Sequence, residues 1–220
     1  MNIWLKSLLD LVYPAEPPPD ELPVLQPPLC QRCGEPFEGQ IAAAFICRSC
    51  QTHTWAIRQA RAPYVSAGYV RETIHAFKYE RQFHHLPQLS QWLEEGYRRF
   101  YADESFDGIT PVPLHWSRKW ARGFNQAKEL AHRLSRQTGS PLLDCLKRIK
   151  KTKTQTRLRR SERFQNQRNA YALKIGANVR GAKLLLIDDI FTTGATTDAC
   201  ARALRKSGAA EVAVLTVARG

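Results

Sequence analysis

Apolar residues near the carboxyl end of the chain follow the periods of buried strands and of a helix. Residues 184–187 are a continuous apolar run, which predicts a strand buried on both faces. Residues 195–206 have helical apolar spacing and are followed by Gly208, while residues 211–217 predict a second strand. Because strand, helix and strand follow in that order, the chain is predicted to be an α/β protein with a parallel sheet and right-handed crossovers.

The same order of elements is repeated upstream. Apolar spacing predicts strands at residues 64–70 and 107–113 and helices at residues 71–79, 86–101 and 125–136. The sheet is therefore predicted to be flanked by helices.

The first 28 residues have a different pattern. Residues 1–13 carry apolar side chains at near-helical spacing, which predicts a short amphipathic helix that docks on the body or on a partner. Seven prolines in residues 14–28 predict a stiff, extended linker. We therefore divide the chain into an amphipathic helix and linker (1–28), a small cysteine module (29–60) and the α/β domain (61–220).

Four of the six cysteines lie in two Cys-x-x-Cys pairs, Cys30 with Cys33 and Cys47 with Cys50. Thirteen residues separate the pairs, a spacing that lets four thiolates surround one zinc ion in a small zinc ribbon. A set of four cysteines leaves no open coordination position, so this zinc is predicted to be structural. A redox pair or accidental spacing is the alternative, and His53 is close enough in sequence to replace Cys50.

The remaining cysteines, Cys145 and Cys200, lie in apolar surroundings and are predicted to pack in the core.

Net charge indicates an anionic partner. The 33 basic and 20 acidic residues give a net charge of +13, which suits polyphosphate, nucleic acid or a membrane surface. Residues 147–168 hold ten of the basic residues and one acid, Glu162, and a solvated surface segment is the alternative interpretation of that run. No stretch approaches 18 uncharged apolar residues, so the protein is expected to be cytoplasmic and to lack a transmembrane segment.

The strongest candidate chemistry follows the strand predicted at residues 184–187. Asp188 and Asp189 come directly after it, at the edge where open α/β sheets bind ligands, and a loop rich in threonine then enters a helix. Small residues let the backbone approach a phosphate, hydroxyl groups add donors, and the helix N-terminus favours negative charge. The loop comprises Thr192, Thr193, Gly194, Ala195, Thr196 and Thr197. A helix cap with incidental acids is the alternative.

Residues 184–197 resemble the signature that binds phosphoribosyl pyrophosphate (PRPP) in type I phosphoribosyltransferases. The resemblance implies that Asp188 and Asp189 are the catalytic pair on the ribose hydroxyls, and that the loop binds the 5′-phosphate of a Mg²⁺-bound ligand. Many purine-salvage members have an aspartate where this chain has Thr192, so the resemblance argues against purine salvage.

A wider resemblance covers residues 29–220. The motifs that carry it are Gly68-Tyr69-Val70-Arg71, Phe77-Lys78-Tyr79, Pro111-Val112-Pro113-Leu114-His115, Arg122-Gly123-Phe124-Asn125-Gln126-Ala127 and the cysteine module. Together they resemble the ComF (competence protein F, or GntX-like) family, and the proline linker is the main departure. The resemblance implies a type I phosphoribosyltransferase-like sheet with an N-terminal zinc ribbon, PRPP and Mg²⁺ as ligands, and a role in DNA uptake during natural transformation.

The Pro-Val-Pro turn is expected to lie beside the pyrophosphate group. Candidates there are Pro113, Leu114, His115, Arg118, Lys119 and Arg122. The alternative is that the prolines only end a strand and the basic side chains are solvated. By location alone, His115 and Lys78 are candidates for a general base.

The basic stretch has two functional interpretations. In position, its residues 147–163 resemble the mobile hood loop that closes over PRPP in related enzymes, where closure would exclude water. Alternatively it binds single-stranded DNA, with Lys150, Lys151, Lys153 and Arg157 on the backbone and Trp116, Trp120 and Tyr171 stacking on bases. A third hypothesis is an adaptor that recruits other competence proteins through the zinc module and N-terminal helix.

Overall fold

In the computed structural model, which describes residues 19, 21–37, 39, 44–80, 82–114, 123–150 and 160–220, five parallel strands form the central sheet. The strands are β1 (Ala60–Arg61), β2 (Tyr64–Val65), β3 (Gly108–Pro111), β6 (Lys183–Phe191) and β7 (Glu211–Arg219). Their order is β1-β7-β6-β3, and β2 pairs with the far end of β7. Two shorter strands, β4 (Leu146–Arg148) and β5 (Tyr171–Leu173), form a separate antiparallel pair.

Helices cover both faces of the sheet, as the sequence predicts. They are α1 (Arg48–Gln51), α2 (Gly68–Tyr79), α3 (Leu86–Tyr101), α4 (Gln126–Thr138), α5 (Arg160–Gln167) and α6 (Ala195–Lys206), with a 3₁₀ turn at Phe83–His85. No helix in these described ranges is both long and apolar enough to span a lipid bilayer.

Side-chain alternation along β6 divides the core into two layers. Leu184 and Leu186 belong to the cluster that contains α6 and the cysteines, while Leu185 and Ile187 belong to the cluster that contains α2, α3 and α4. All four side chains are fully buried, as expected for a central parallel strand covered on both faces. Cys145 and Cys200 are also buried in the first cluster, which confirms their predicted packing role.

Two strand predictions need correction. The predicted strand at residues 64–70 ends at Val65, because β7, its partner, ends beside it at Arg219. The chain then turns into α2, on which Val70, Ile74 and Phe77 form one buried face. The strand predicted at residues 184–187 is longer, since β7 continues beside it, and both carboxylates therefore lie within β6.

Part of the predicted linker packs on the domain. Leu25 is buried, its amide donates to the carbonyl of Pro63, and Val65 donates to the carbonyl of Pro23. The amphipathic helix predicted at residues 1–13 lies outside the described residues, and the predicted domain boundaries stay predictions.

Candidate functional site

A cavity opens beyond the carboxyl end of β3, beside the last residues of β6. It is lined by Lys78 and by every residue from Asp188 to Thr197. We call it the carboxylate pocket. The structure therefore brings together both predicted carboxylates and all six predicted loop residues, and it adds the end of α2.

The two carboxylates differ in their pKa and in their contact with Lys78. Asp188 accepts a hydrogen bond from the amide of Asp189 (2.9 Å), and Asp189 accepts one from the amide of Ile190 (2.6 Å). Burial raises the pKa of Asp188 to about 8, the negative charge of Asp189 adds to the shift, and Lys78 opposes it. The Nζ atom of Lys78 lies 2.8 Å from Oδ2 of Asp189. One ammonium group therefore faces two acids.

Gly194 gives the threonine loop its tight path. Its φ angle is +78°, and a Cβ atom placed there would lie 2.5 Å from the ring of Phe191 and 2.7 Å from the ring of Trp55. Only glycine combines that backbone conformation with such close rings. The side chains of Phe191 and Trp55 therefore pack against the loop and hold its backbone at the cavity wall.

The loop ends at the N-terminus of α6. Thr197 donates from Oγ1 to the carbonyl of Gly194 (3.0 Å), and the amide of Ala195 donates to Oγ1 of Thr193 (3.4 Å). The first turn of a helix presents amide donors without intrahelical partners and a partial positive charge. This end of the cavity can therefore hold a phosphate, and the carboxylate end can accept hydrogen bonds from hydroxyl groups.

A buried carboxylate connects α6 to the segment that follows the cysteines. Asp198, 2% exposed, accepts hydrogen bonds from the amide of Ala56 (2.7 Å), Nε2 of His53 (3.1 Å) and Nε of Arg202 (3.0 Å). Because His53 bonds to Asp198, it is engaged away from the cysteines and does not replace Cys50.

Aromatic side chains pack beside this link between α6 and residues 53–56. The rings of His53 and Trp55 contact Phe164 of α5 at centroid distances of 4.2 and 5.6 Å, and Trp55 also stacks near Phe191. Helix α5 lies near the end of the basic stretch, residues 147–168. The end of that stretch is therefore fixed against the residues that support the threonine loop.

The cysteine cluster, defined as Cys30, Cys33, Cys47 and Cys50, can hold a metal ion. The four sulfur atoms lie within 4.8 Å of one another, and Sγ of Cys33 is 3.6 Å from Sγ of Cys47. Tetrahedral coordination at a Zn–S distance of about 2.3 Å would separate the sulfurs by about 3.8 Å. The donor set and spacing therefore fit zinc.

Backbone geometry and charge around the cluster suit bound thiolates. The amide of Cys47 donates to Sγ of Cys30 (3.3 Å), and Gly34, with φ +67°, closes the first turn by donating to the carbonyl of Cys30. Burial raises the pKa of Cys33 to about 12, although the guanidinium of Arg219 opposes the shift. A metal cation would stabilise the thiolates that burial otherwise disfavours.

Two guanidinium groups adjoin the cluster, one buried and one partly buried. Arg219, 6% exposed, donates to the carbonyl of Cys33 (2.8 Å) and pairs with Glu35. Arg61 donates to the carbonyls of Cys30 (3.4 Å) and Gln31 (2.9 Å). Four thiolates on one divalent ion carry a net charge of −2, which two guanidinium groups would balance.

The predicted pyrophosphate side is described only in part. Pro113 and Leu114 follow β3, and neither lines the carboxylate pocket. Nδ2 of Asn125 donates to the carbonyl of Val112 (3.1 Å), so the Pro-Val-Pro turn is tied to the start of α4. The remaining candidates, His115, Arg118, Lys119 and Arg122, lie outside the described residues.

The basic stretch requires one correction. Lys150 is exposed beside β4, whereas Lys151, Lys153 and Arg157 lie outside the described residues, as do Trp116 and Trp120. Tyr171 does not face solvent: it is 5% exposed in β5, and its hydroxyl donates to Oε1 of Gln167. Its proposed stacking on nucleic-acid bases is therefore wrong, because the apolar spacing of β5 places the ring in the core.

Two residues at this site have weak signals in the sequence. For Lys78 the signal is its location in the Phe-Lys-Tyr motif, and in the structure its side chain pairs with Asp189. Asp198 follows directly after the threonine loop, where a helix N-terminus commonly carries an acid, and its contacts to residues 53 and 56 had no sequence signal.

Comparison with known proteins identifies relatives of this chain. The phosphoribosyl transferase domain family matches residues 121–220. Competence protein F of Haemophilus influenzae is 33% identical over 199 residues, which cover 87% of this chain and 85% of that protein. Competence protein ComFC of Bacillus subtilis is 32% identical over 87% of this chain and 78% of that protein. DNA utilization protein YhgH of Escherichia coli K12 is 35% identical over 66% of this chain and 65% of that protein.

Proposed function

Because the chain belongs to the family of competence protein F (ComF), with its phosphoribosyl transferase domain, we propose that it binds Mg²⁺-PRPP and acts in natural competence. The observation that carries this proposal is the carboxylate pocket, which joins two acids to a threonine loop at a helix N-terminus. That combination suits a ribose phosphate, which has hydroxyl groups at one end and an anionic group at the other.

The pocket residues divide between the two ends of the ligand. Thr193, Gly194 and the residues up to Thr197 bind the 5′-phosphate through backbone amides and hydroxyl groups. Asp188 and Asp189 accept hydrogen bonds from the ribose hydroxyls. Thr192 stands where many purine-salvage members carry an aspartate, so the acceptor is not expected to be a salvaged purine.

As an enzyme, the protein would catalyse displacement at ribose C1′. The bond from C1′ to the pyrophosphate oxygen breaks, pyrophosphate leaves with the electron pair as its Mg²⁺ complex, and a nitrogen nucleophile forms the new bond to C1′. The nucleophile then loses its proton. The pocket residues contribute positioning and charge stabilisation rather than a covalent intermediate.

The cysteine cluster has a structural part in this proposal. It binds one zinc ion through four thiolates, which leaves no coordination position for substrate. Reduced thiolates of this kind persist in a reducing compartment, and we propose that the protein acts in the cytoplasm.

Calorimetric titration with Mg²⁺-PRPP tests the ligand. Wild type is expected to bind, and the double substitution Asp188→Asn, Asp189→Asn is expected to abolish binding. The matched control removes two exposed carboxylates, Glu72→Gln with Asp103→Asn, and should bind as wild type does. If wild type fails to bind PRPP, or if the double variant binds equally well, the proposed site is wrong. Release of pyrophosphate across a panel of nitrogenous acceptors then separates an enzyme from a binding protein.

The exposed basic residues favour a second candidate function. Lys147 and Lys150 project into solvent at the start of the basic stretch, which suits the backbone of single-stranded DNA in a non-catalytic binding or adaptor protein of the uptake machinery. Affinity for single-stranded DNA should then fall with salt, and Lys150→Gln, Lys151→Gln, Lys153→Gln should reduce the slope of log affinity against log salt by about 2. Arg133→Gln, Arg136→Gln, Lys206→Gln is the control. An unchanged slope in the lysine variant would remove the basic stretch from this function.

A further inference from the structure

Lys78 differs from the other residues of the carboxylate pocket in both origin and charge. It comes from the last turn of α2, whereas the rest of the described lining is one continuous segment, residues 188–197. Among the described lining residues it carries the one basic side chain. Its Nζ atom lies 2.8 Å from Asp189, and the two side chains are only 16% and 13% exposed. A lysine that donates to a carboxylate is a charge partner for that acid and is poorly suited to accept a proton.

The backbone of Lys78 is held in place by its neighbours, while its side chain extends into the cavity. Phe77 is fully buried against Phe124, and the carbonyl of Lys78 accepts a hydrogen bond from Nε2 of Gln126 (3.4 Å). The four-carbon stem of a lysine can reorient without any movement of the backbone. The ammonium group can therefore exchange one anionic partner for another inside the cavity.

An anionic ligand changes the charge balance that holds Lys78 on Asp189. Without ligand, Asp189 is the partner of Lys78, and a carboxylate engaged in that way has less capacity to accept hydrogen bonds from a ribose. A diphosphate group near Nζ offers a stronger, multiply charged partner. If the ammonium moves to the diphosphate, Asp189 becomes free for the ribose hydroxyls at the moment the complete ligand is present.

We propose that Lys78 is a specificity-determining residue that leaves Asp189 for the diphosphate group of the ligand, so that the pocket accepts PRPP in preference to ribose 5-phosphate. This inference rests on the proposed function, because it assigns a role within the same pocket. A ligand without the diphosphate leaves Lys78 on Asp189 and meets only one available acid. Selectivity then comes from the exchange of an ion pair, with no change in the fold.

Affinities for three ligands test the exchange: Mg²⁺-PRPP, ribose 5-phosphate and Mg²⁺-pyrophosphate. In Lys78→Met, PRPP affinity should fall about 10- to 100-fold through loss of a charged hydrogen bond. Affinity for ribose 5-phosphate should stay the same or rise, because Asp189 no longer has a competing partner, and affinity for pyrophosphate should fall. Lys78→Arg should keep most of the preference for PRPP.

The matched control is Lys128→Met, which removes a lysine that is paired with Asp144 at 2.7 Å and lies outside the described lining of the pocket. It should leave all three affinities unchanged. Thermal unfolding of each variant verifies that the chain is folded. If Lys78→Met weakens PRPP and ribose 5-phosphate by the same factor, Lys78 is a permanent counter-ion and the exchange is refuted. Undiminished preference for PRPP in Lys78→Met refutes it as well. If wild type binds none of the three ligands, the proposed function itself fails.

Discussion

The cysteine cluster and the carboxylate pocket both bring together side chains that can carry negative charge, but they differ in the basic residues around them. Four cysteines converge on one point, and two arginines, the partly buried Arg61 and the buried Arg219, lie beside them. The carboxylate pocket is open, and one lysine serves two aspartates, one of which has a raised pKa. The cluster, where we propose a permanent metal ion, has fixed charge partners around it. The pocket, where we propose a ligand that comes and goes, has one ion pair whose lysine can change its partner.

Breaking the cysteine cluster should have the largest effect. Cys33→Ser removes one of four thiolates, and because structural zinc sites contribute on the order of 10 kcal/mol to folding, the expected loss exceeds about 5 kcal/mol. Zinc content should fall from one ion per chain towards zero, and thermal unfolding should lose its cooperative transition. Cys200→Ala, at a buried cysteine outside the cluster, should keep the zinc. Full zinc content in Cys33→Ser would show that the four-thiolate site is wrong.

Removing a charge partner of the cluster should have the next largest effect. Arg219→Met removes a charged donor to the carbonyl of Cys33 and the guanidinium partner of Glu35, which should cost about 2–3 kcal/mol. Its guanidinium also lies 5.3 Å from the ring centroid of Phe191, beneath the threonine loop. Urea unfolding measures the loss, and the exposed Arg133→Met is the control. Equal stability of the two variants would contradict a role for Arg219 in charge balance.

Adding a side chain at Gly194, where the threonine loop packs on two aromatic rings, should lower stability by a smaller amount. A comparison with Gly139 separates the cost of backbone strain from the cost of overpacking. Gly194 and Gly139 have nearly equal φ angles, +78° and +75°, but only Gly194 has aromatic rings within contact distance of an added Cβ. Gly139→Ala should cost about 1 kcal/mol, and Gly194→Ala should cost about 1 kcal/mol more through overpacking. Unfolding free energies of the two variants give the difference directly. Equal losses would mean that Trp55 and Phe191 do not confine the loop.

The pH dependence of stability should have a defined sign. Burial raises the pKa of Asp188 in the folded protein to about 8 from its ordinary value of 3.8, so the folded state binds more protons between those values. Stability contributed by this residue therefore falls as pH rises from about 4 to about 8. Asp188→Asn should flatten that part of the profile and be more stable than wild type at pH 8, measured by urea unfolding without ligand. A steeper decline in the variant would contradict the sign.

Patterns that are local in sequence predicted much of this molecule. The bounds of helices Leu86–Tyr101 and Ala195–Lys206 and the apolar centre of β6 follow from periodicity, because one element buries one face. The two cysteine pairs and the threonine loop follow from fixed spacing. The short pair of β4 and β5 was missed, since strands of three residues have too little pattern to identify.

Contacts between distant segments were not predictable in the same way. The ion pair of Lys78 with Asp189 joins residues far apart in sequence. The hydrogen bonds of Asp198 with His53 and Ala56 do so as well. Such pairs depend on how the helices pack on the sheet, and a single sequence carries no signal for that packing. The error at Tyr171 has the same origin, because an aromatic residue among basic ones suits both a core strand and a stacking surface.

The contacts of Asp198 also decide which fragment of this protein can be studied alone. A fragment that began at residue 61, the predicted start of the α/β domain, would keep Arg202 but lose both His53 and the amide of Ala56. The carboxylate of Asp198 would then lose two of its three donors beside the threonine loop. Attempts to isolate the α/β domain should therefore place the junction before Cys30 and keep residues 53–56 with α6.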